Sequence, residues 1–167
     1  MRSVIAVYVE NKYGVLTRVA GLFMRKGFNI DSLTVGETEN PAYSRMTITL
    51  NGNDYAREQL INQLKKLHNV KEVKLLESAQ NVERELLLVK VPNHPETRSE
   101  IMAAADVYRG KIIDYSTDAM IIEVTGEPLK ISAFIDVVKP IGIIEMCRTG
   151  VVSLERGATV LHQVEIK

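Results

Sequence analysis

Asn11, Gly14 and Asn29 are the residues of this chain whose types and spacing suit them to hold a small polar ligand. Asn11 and Gly14 lie in Glu10-Asn11-Lys12-Tyr13-Gly14, between the apolar run Val4 to Val9 and the amphipathic run Val15 to Lys26, which ends in Gly27-Phe28-Asn29-Ile30. A helix start leaves about four backbone N–H groups unpaired and carries a partial positive charge, so a loop there receives a carboxylate without Arg or Lys. The Asn11 amide has a carbonyl acceptor and NH2 donors, enough for an ammonium and a carboxylate together, the two groups of a free α-amino acid. Gly14 has no Cβ and lets a ligand or a partner backbone come close, and Asn29 supplies a second amide at the far end of the helix. The same residues also suit a purely structural duty, Asn11 and Gly14 as a tight turn and Asn29 as a turn residue after a Gly27 helix stop. Spacing alone leaves both readings open.

Little other chemistry is on offer. His68, His94 and His162 form no HxH or HxxxH pair, so no metal is expected. Cys147 is the single cysteine, set in an apolar stretch with no histidine near it in sequence, which suits a buried inert thiol and excludes an internal disulfide. Neither GxGxxG nor GxxxxGK[ST] occurs, so a phosphate-cradling loop has no support. Lys+Arg and Asp+Glu both number 21, which leaves no net field for nucleic acid or an anionic membrane. The apolar runs, such as Leu86 to Val89 and Ala119 to Ile122, are far short of the roughly 20 residues that cross a bilayer. The start Met-Arg-Ser-Val lacks a signal-peptide core, and a cytoplasmic location is the expectation.

The elements that must position Asn11 and Asn29 follow from periodicity. Val4 to Val9 reads as a central strand covered on both faces. Leu16, Val19, Ala20 and Phe23 recur at helical spacing, with Gly27 as the stop. Ile30, Leu33 and Val35 open a second strand, Asn40-Pro41 turns the chain, and Met46, Ile48 and Leu50 alternate with Arg45, Thr47 and Thr49 as a strand with one buried face. Asn51 to Asp54 is a turn and cap, Ala56, Leu60, Leu64 and Leu67 mark a second helix, and Val70 to Leu76 is a fourth strand. After a polar linker the order repeats: strand Leu86 to Val91, helix face Ile101, Ala104, Ala105 and Tyr108, hairpin Lys111 to Tyr115 with Ala119 to Thr125, helix face Ile131, Phe134, Ile135 and Val138, and strand Ile143 to Cys147. The fold class is α+β, two tandem ferredoxin-like βαββαβ domains, with boundaries at 1–77, a linker at 78–83, and 84–167. Two units of this size leave sheet faces and edges to cover, so a homodimer or higher assembly is expected. An RNA-recognition domain shares the element order, but the third strand, Ser44 to Leu50, lacks the stacking aromatic and the basic run. A small ferredoxin-like hydrolase would want an Arg in the loop Asn11 to Gly14, and none is there.

The run Glu10-Asn11-Lys12-Tyr13-Gly14-Val15-Leu16-Thr17-Arg18-Val19-Ala20-Gly21-Leu22-Phe23, continued by Arg25-Lys26-Gly27-Phe28-Asn29-Ile30-Asp31-Ser32-Leu33-Thr34-Val35, resembles the ACT domain of the regulatory small subunit of acetohydroxyacid synthase, also called acetolactate synthase. Ser44 to Ile48, Val82 to Leu86, Arg109 to Asp114 and Arg148 to Val151 fall where that family has similar segments, so the resemblance spans about residues 1 to 157. It implies a non-catalytic partner of a thiamine-diphosphate enzyme early in branched-chain amino-acid synthesis, a chain that raises that enzyme's activity and carries feedback inhibition. The effector implied is L-valine or another branched-chain amino acid, held between two ACT domains by Asn11, Lys12, Tyr13, Gly14, Val15 and Leu16 of one chain and Asn29 and Ile30 of the other. Thiamine diphosphate, magnesium and flavin are then expected on the catalytic large subunit, with no cofactor in this chain, and 84–167 is read as an assembly and activation domain. Ala158 to Lys167 departs from the family pattern, being longer and more apolar than the short basic tails expected there. An ACT-type amino-acid sensor for a different metabolic enzyme or regulator is the alternative within the same class.

Overall fold

The computed structural model describes residues 1–162 and divides the chain into two units. Unit 1 comprises Met1–Val82 together with the segment from Val151 onward, and unit 2 comprises Glu83–Gly150.

Unit 1 runs β1 (Arg2–Glu10), α1 (Val15–Arg25), β2 (Ile30–Glu37), β3 (Tyr43–Asn51), α2 (Asp54–Lys65) and β4 (Val70–Leu76), with strand order β2-β3-β1-β4. Neighbouring strands are antiparallel, with Val7 opposite Met46 on one side and Val73 on the other. Ile5, Val7 and Val9 pack under α1 and α2 with Val19, Phe23, Leu60 and Leu64, because alternate strand residues share a face. The α1 stripe is rotated from the one periodicity favoured: Val15, Val19, Leu22 and Phe23 are buried, while Leu16 is 44% exposed. Val15 and Leu22 together outweigh Leu16 and Ala20 in apolar area, and burial follows area.

The β3 strand also differs from expectation. Thr47 and Thr49 are buried along with Met46, Ile48 and Leu50, because the face they share with Val4 and Ala6 is covered at the centre of the sheet. Val4, Ala6 and Leu76, on the side away from the helices, form a small cluster against which Leu161 packs. His162 stacks on Tyr8 at 4.6 Å between ring centroids, and Tyr8 stacks on Tyr43 at 4.9 Å. Burial pushes the Tyr8 phenol above its ordinary range. The assigned second-domain boundary of 84–167 is therefore corrected. The return segment carries β9 (Val152–Glu155), Arg45 Nη2 donates to Ser153 O at 2.8 Å, and Lys74 Nζ pairs with Glu155 Oε1 at 2.7 Å. Of the tail Ala158 to Lys167, residues 163–167 lie outside the described residues.

Unit 2 holds most of β5 (Asn81–Pro92), then α3 (Pro95–Val107), β6 (Lys111–Tyr115), β7 (Ala119–Gly126), α4 (Pro128–Val138) and β8 (Glu145–Arg148), with strand order β6-β7-β5-β8. The linker placed at 78–83 ends sooner, since β5 begins at Asn81. Leu87, Val89, Val91, Met120 and Ile122 meet Ile101, Ile131 and Phe134 in the core. The last strand starts two residues later than Ile143, because Ile141 and Ile143 turn inward onto the core around Gly142 at φ 117. Cys147 is exposed on this edge strand, not buried as expected. The chain thus contains two antiparallel ferredoxin-like sheets with their helices, and among the described residues no helix is long and apolar enough to cross a membrane.

Candidate functional site

The loop from Asn11 to Gly14 joins β1 to α1, and all four of its residues are exposed. Gly14 is the N-cap of α1 at φ 79, a left-handed conformation that glycine adopts without a Cβ penalty. Having no side chain, it caps nothing, and the first turn of α1 carries no acidic residue. Arg18 N–H reaches Gly14 O at 3.0 Å and Val15 N–H reaches Lys12 O at 3.5 Å, whereas the N–H groups of Leu16 and Thr17 meet no acceptor among the described residues. The helix start is uncapped and faces solvent, and free N–H groups in that position suit an anion.

The Asn11 amide is only half available. Its Nδ2 donates to Glu37 Oε1 and to Pro41 O, each at 3.0 Å, so both N–H bonds are spent on the β2–β3 hairpin. The expectation that Asn11 serves an ammonium and a carboxylate together is corrected on this point. Its Oδ1 alone remains for a ligand, and an oxygen accepts from an ammonium but does not donate to a carboxylate. Glu37 was not named from sequence and Pro41 only as a chain turn, because the pairing of β2 with β3 is what brings them beside Asn11.

The remaining site residues separate by role. Lys12 pairs with Glu10 at 3.1 Å, Tyr13 is fully exposed, and Leu16 projects partly into solvent. The Val15 side chain is buried in the core of unit 1, so this residue offers a ligand no side-chain contact. Asn29 and Ile30 stand at the other end of α1, about 16 Å away along a helix of 11 residues. They border an open hollow of about 430 Å³ floored by Phe23 and Phe28. Within one chain the loop Asn11 to Gly14 and this hollow do not meet.

Glu10 anchors the loop from below. Hydrogen bonding by Lys71, then Asn69, then Lys12 brings its carboxyl down to about 2. Lys71 Nζ lies 2.9 Å from Glu10 Oε1, and Asn69 Nδ2 donates to Glu10 Oε2 at 2.8 Å. Among the described residues no group of acidic, histidine or cysteine side chains is arranged to hold a metal ion.

Unit 1 is a βαββαβ module on a ferredoxin-like sheet, led by an uncapped helix that starts at a glycine, and that fold hosts many functions. Residues 5–72 match the family model described as an AHAS small subunit-like ACT domain, and residues 84–157 match that of the small subunit of acetolactate synthase. The chain is 53% identical over 158 residues to a probable acetolactate synthase small subunit of Archaeoglobus fulgidus, covering 94% of this chain and 98% of that one. It is 46% identical to the acetolactate synthase small subunit of Mycolicibacterium smegmatis, covering 92% and 90%. The crystal structure of the acetolactate synthase small subunit from Thermotoga maritima superposes with a TM-score of 0.88 at 40% identity, over 95% of this chain and 99% of that one. The chain belongs to the acetolactate synthase small-subunit family.

Proposed function

We propose that this chain is the non-catalytic regulatory subunit of an acetolactate synthase, raising the activity of a thiamine-diphosphate-dependent catalytic subunit and carrying feedback inhibition by a branched-chain amino acid, with L-valine the first effector to test. The observation that carries the reading is the uncapped start of α1, with the Leu16 and Thr17 N–H groups and Asn11 Oδ1 all without partners among the described residues. A ligand carboxylate would take the N–H groups and a ligand ammonium the Asn11 oxygen, with Glu37 beside it. An aliphatic side chain would find its apolar wall at the hollow by Asn29 and Ile30 of a second chain. The separation of the two halves along α1 is the reason for drawing them from two protomers of a homodimer or larger assembly. An effector seated between chains favours one pairing of them, and linkage makes its effect on the catalytic subunit reciprocal. Thiamine diphosphate, magnesium and flavin belong to that subunit in this reading, and the assembly works in the cytoplasm.

Reconstitution with an acetolactate-forming large subunit tests it. The native chain raises acetolactate production and L-valine reverses the gain, while Asn11→Ala keeps the activation and loses the inhibition. Parallel loss of both in a folded Asn11→Ala chain would contradict the effector assignment, and absence of any activation by the native chain would contradict the regulatory reading.

A further inference from the structure

Asn69 ties together three elements at the root of the loop that carries Asn11 and Gly14. It sits immediately before β4 at 8% exposure. Its backbone oxygen accepts from Glu10 N–H at 2.9 Å, closing the end of β1. Its side-chain oxygen accepts from Arg18 Nη1 at 2.6 Å, and its Nδ2 donates to Glu10 Oε2 at 2.8 Å. The β1–β4 pairing shifts register between Tyr8 and Val9, so that Tyr8 faces Glu72 and Val9 faces Val70. A bulge of this kind re-aims the side chains around it, and here Lys71 comes to pair with the same Glu10 carboxylate.

No side-chain cap fixes the direction in which α1 starts. Gly14 offers no capping side chain, and a left-handed glycine is the most permissive joint the backbone has. Val15 packs into the core without a directed bond, and Arg18, whose N–H makes the first regular bond of the helix to Gly14 O, is the earliest α1 side chain hydrogen-bonded to another element among the described residues, its partner being Asn69. We infer that Asn69 is the positioning residue of the effector loop, holding the end of β1 and the first turn of α1 in the one relation that presents Asn11 Oδ1 and the Leu16 and Thr17 N–H groups to the same ligand. The inference rests on the effector-site reading above. It assigns Asn69 no contact with the ligand; its part is to remove the reorganisation that binding would otherwise have to bring about.

The test is calorimetric titration of the full chain with L-valine, run on the native protein, Asn11→Ala, Asn69→Ala and Asn69→Asp, with thermal unfolding of each. Asn69→Ala loses both side-chain bonds and weakens valine binding about tenfold. Asn69→Asp keeps the acceptor for Arg18 but sets a second carboxylate against Glu10, among Lys12, Lys71 and Arg18. Near pH 7 the two carboxylates repel and binding is weak. As the pH is lowered into the carboxylate range they come to share a proton, which remakes the lost hydrogen bond, and affinity recovers while the native chain stays flat. A general loss of stability would make acidification harmful, so recovery on acidification is the signature of positioning. Valine binding weakened in Asn11→Ala but native in Asn69→Ala would overturn the positioning role alone. Native binding in Asn11→Ala would overturn the site and this inference with it. Should the alanine variant not fold, the pH profile of Asn69→Asp decides by itself, a flat or falling one counting against the inference.

Discussion

The two units share one element order and one strand order, yet they treat the corresponding loop in opposite ways. In unit 1 the loop ends in Gly14, the first turn of α1 has no acid, and Asn11 Oδ1 is free among the described residues. In unit 2 the corresponding stretch is Asn93-His94-Pro95-Glu96. Pro95 presets the helical φ and has no N–H to offer, and Glu96 already places a carboxylate in the first turn. Asn93 is 3% exposed with both ends of its amide engaged, donating to Ser116 O at 2.6 Å and accepting from Arg98 Nε at 2.7 Å. The fold supplies a helix N-terminus in both units; whether it can receive a ligand depends on three or four side chains. The sheet faces differ as well. Leu161, His162 and the β9 segment cover that of unit 1, whereas Leu88 and Ile113 of unit 2 are 36% and 49% exposed.

The comparison breaks most severely if unit 1 is given the chemistry of unit 2. Gly14→Asp introduces a carboxylate at the helix start; a Cβ there meets nothing within 4 Å, so the cost is the positive φ alone. It is expected to raise the L-valine concentration for half-inhibition by at least ~100-fold in the reconstituted enzyme, with activation retained, through charge repulsion and loss of the anion site. Asn93→Ala in unit 2 is expected to leave valine inhibition unchanged while costing about 1–3 kcal/mol in denaturant unfolding, since it orphans Arg98 and Ser116 O. Leu161→Ala should cost on the order of 1 kcal/mol in the same experiment, less than a fully buried leucine because Leu161 is only partly buried, and Leu88→Thr on the uncovered face under about 0.5 kcal/mol.

A smaller effect belongs to the loop of unit 1 and is read by pH. The Glu10 carboxyl titrates at about 2 in the folded chain against 4.5 when unperturbed, so between those values the unfolded chain binds more protons than the folded one. Its stabilising contribution is complete above the unperturbed value and disappears as pH falls towards the folded one. Glu10→Gln should flatten that part of the acid-unfolding curve followed by circular dichroism.

Much of this was legible in the sequence because it is local. The strand at Val4 to Val9, the helices, the hairpins and the second βαββαβ unit follow from apolar periods that each element satisfies on its own, and Gly14 and Asn11 stand in one short loop. What escaped is non-local. The return of the chain from Val151 onward depends on Arg45 meeting Ser153 O and Leu161 meeting Val4 and Ala6, contacts between residues more than a hundred positions apart. Thr47 and Thr49 read as a solvent face for the same reason, since nothing in their own strand announces a cover. Glu37, Pro41 and Asn69 reach the Asn11 loop only through sheet pairing, and a polar residue in a turn carries no sign of which loop it will brace.

Amide hydrogen exchange of the full chain with and without L-valine tests the central claim most directly. The account predicts slowed exchange at Leu16 and Thr17 of α1 and around Asn29, with none at Glu96 and Thr97 of α3. Protection at the start of α3, or none at the start of α1 under saturating valine, would contradict it.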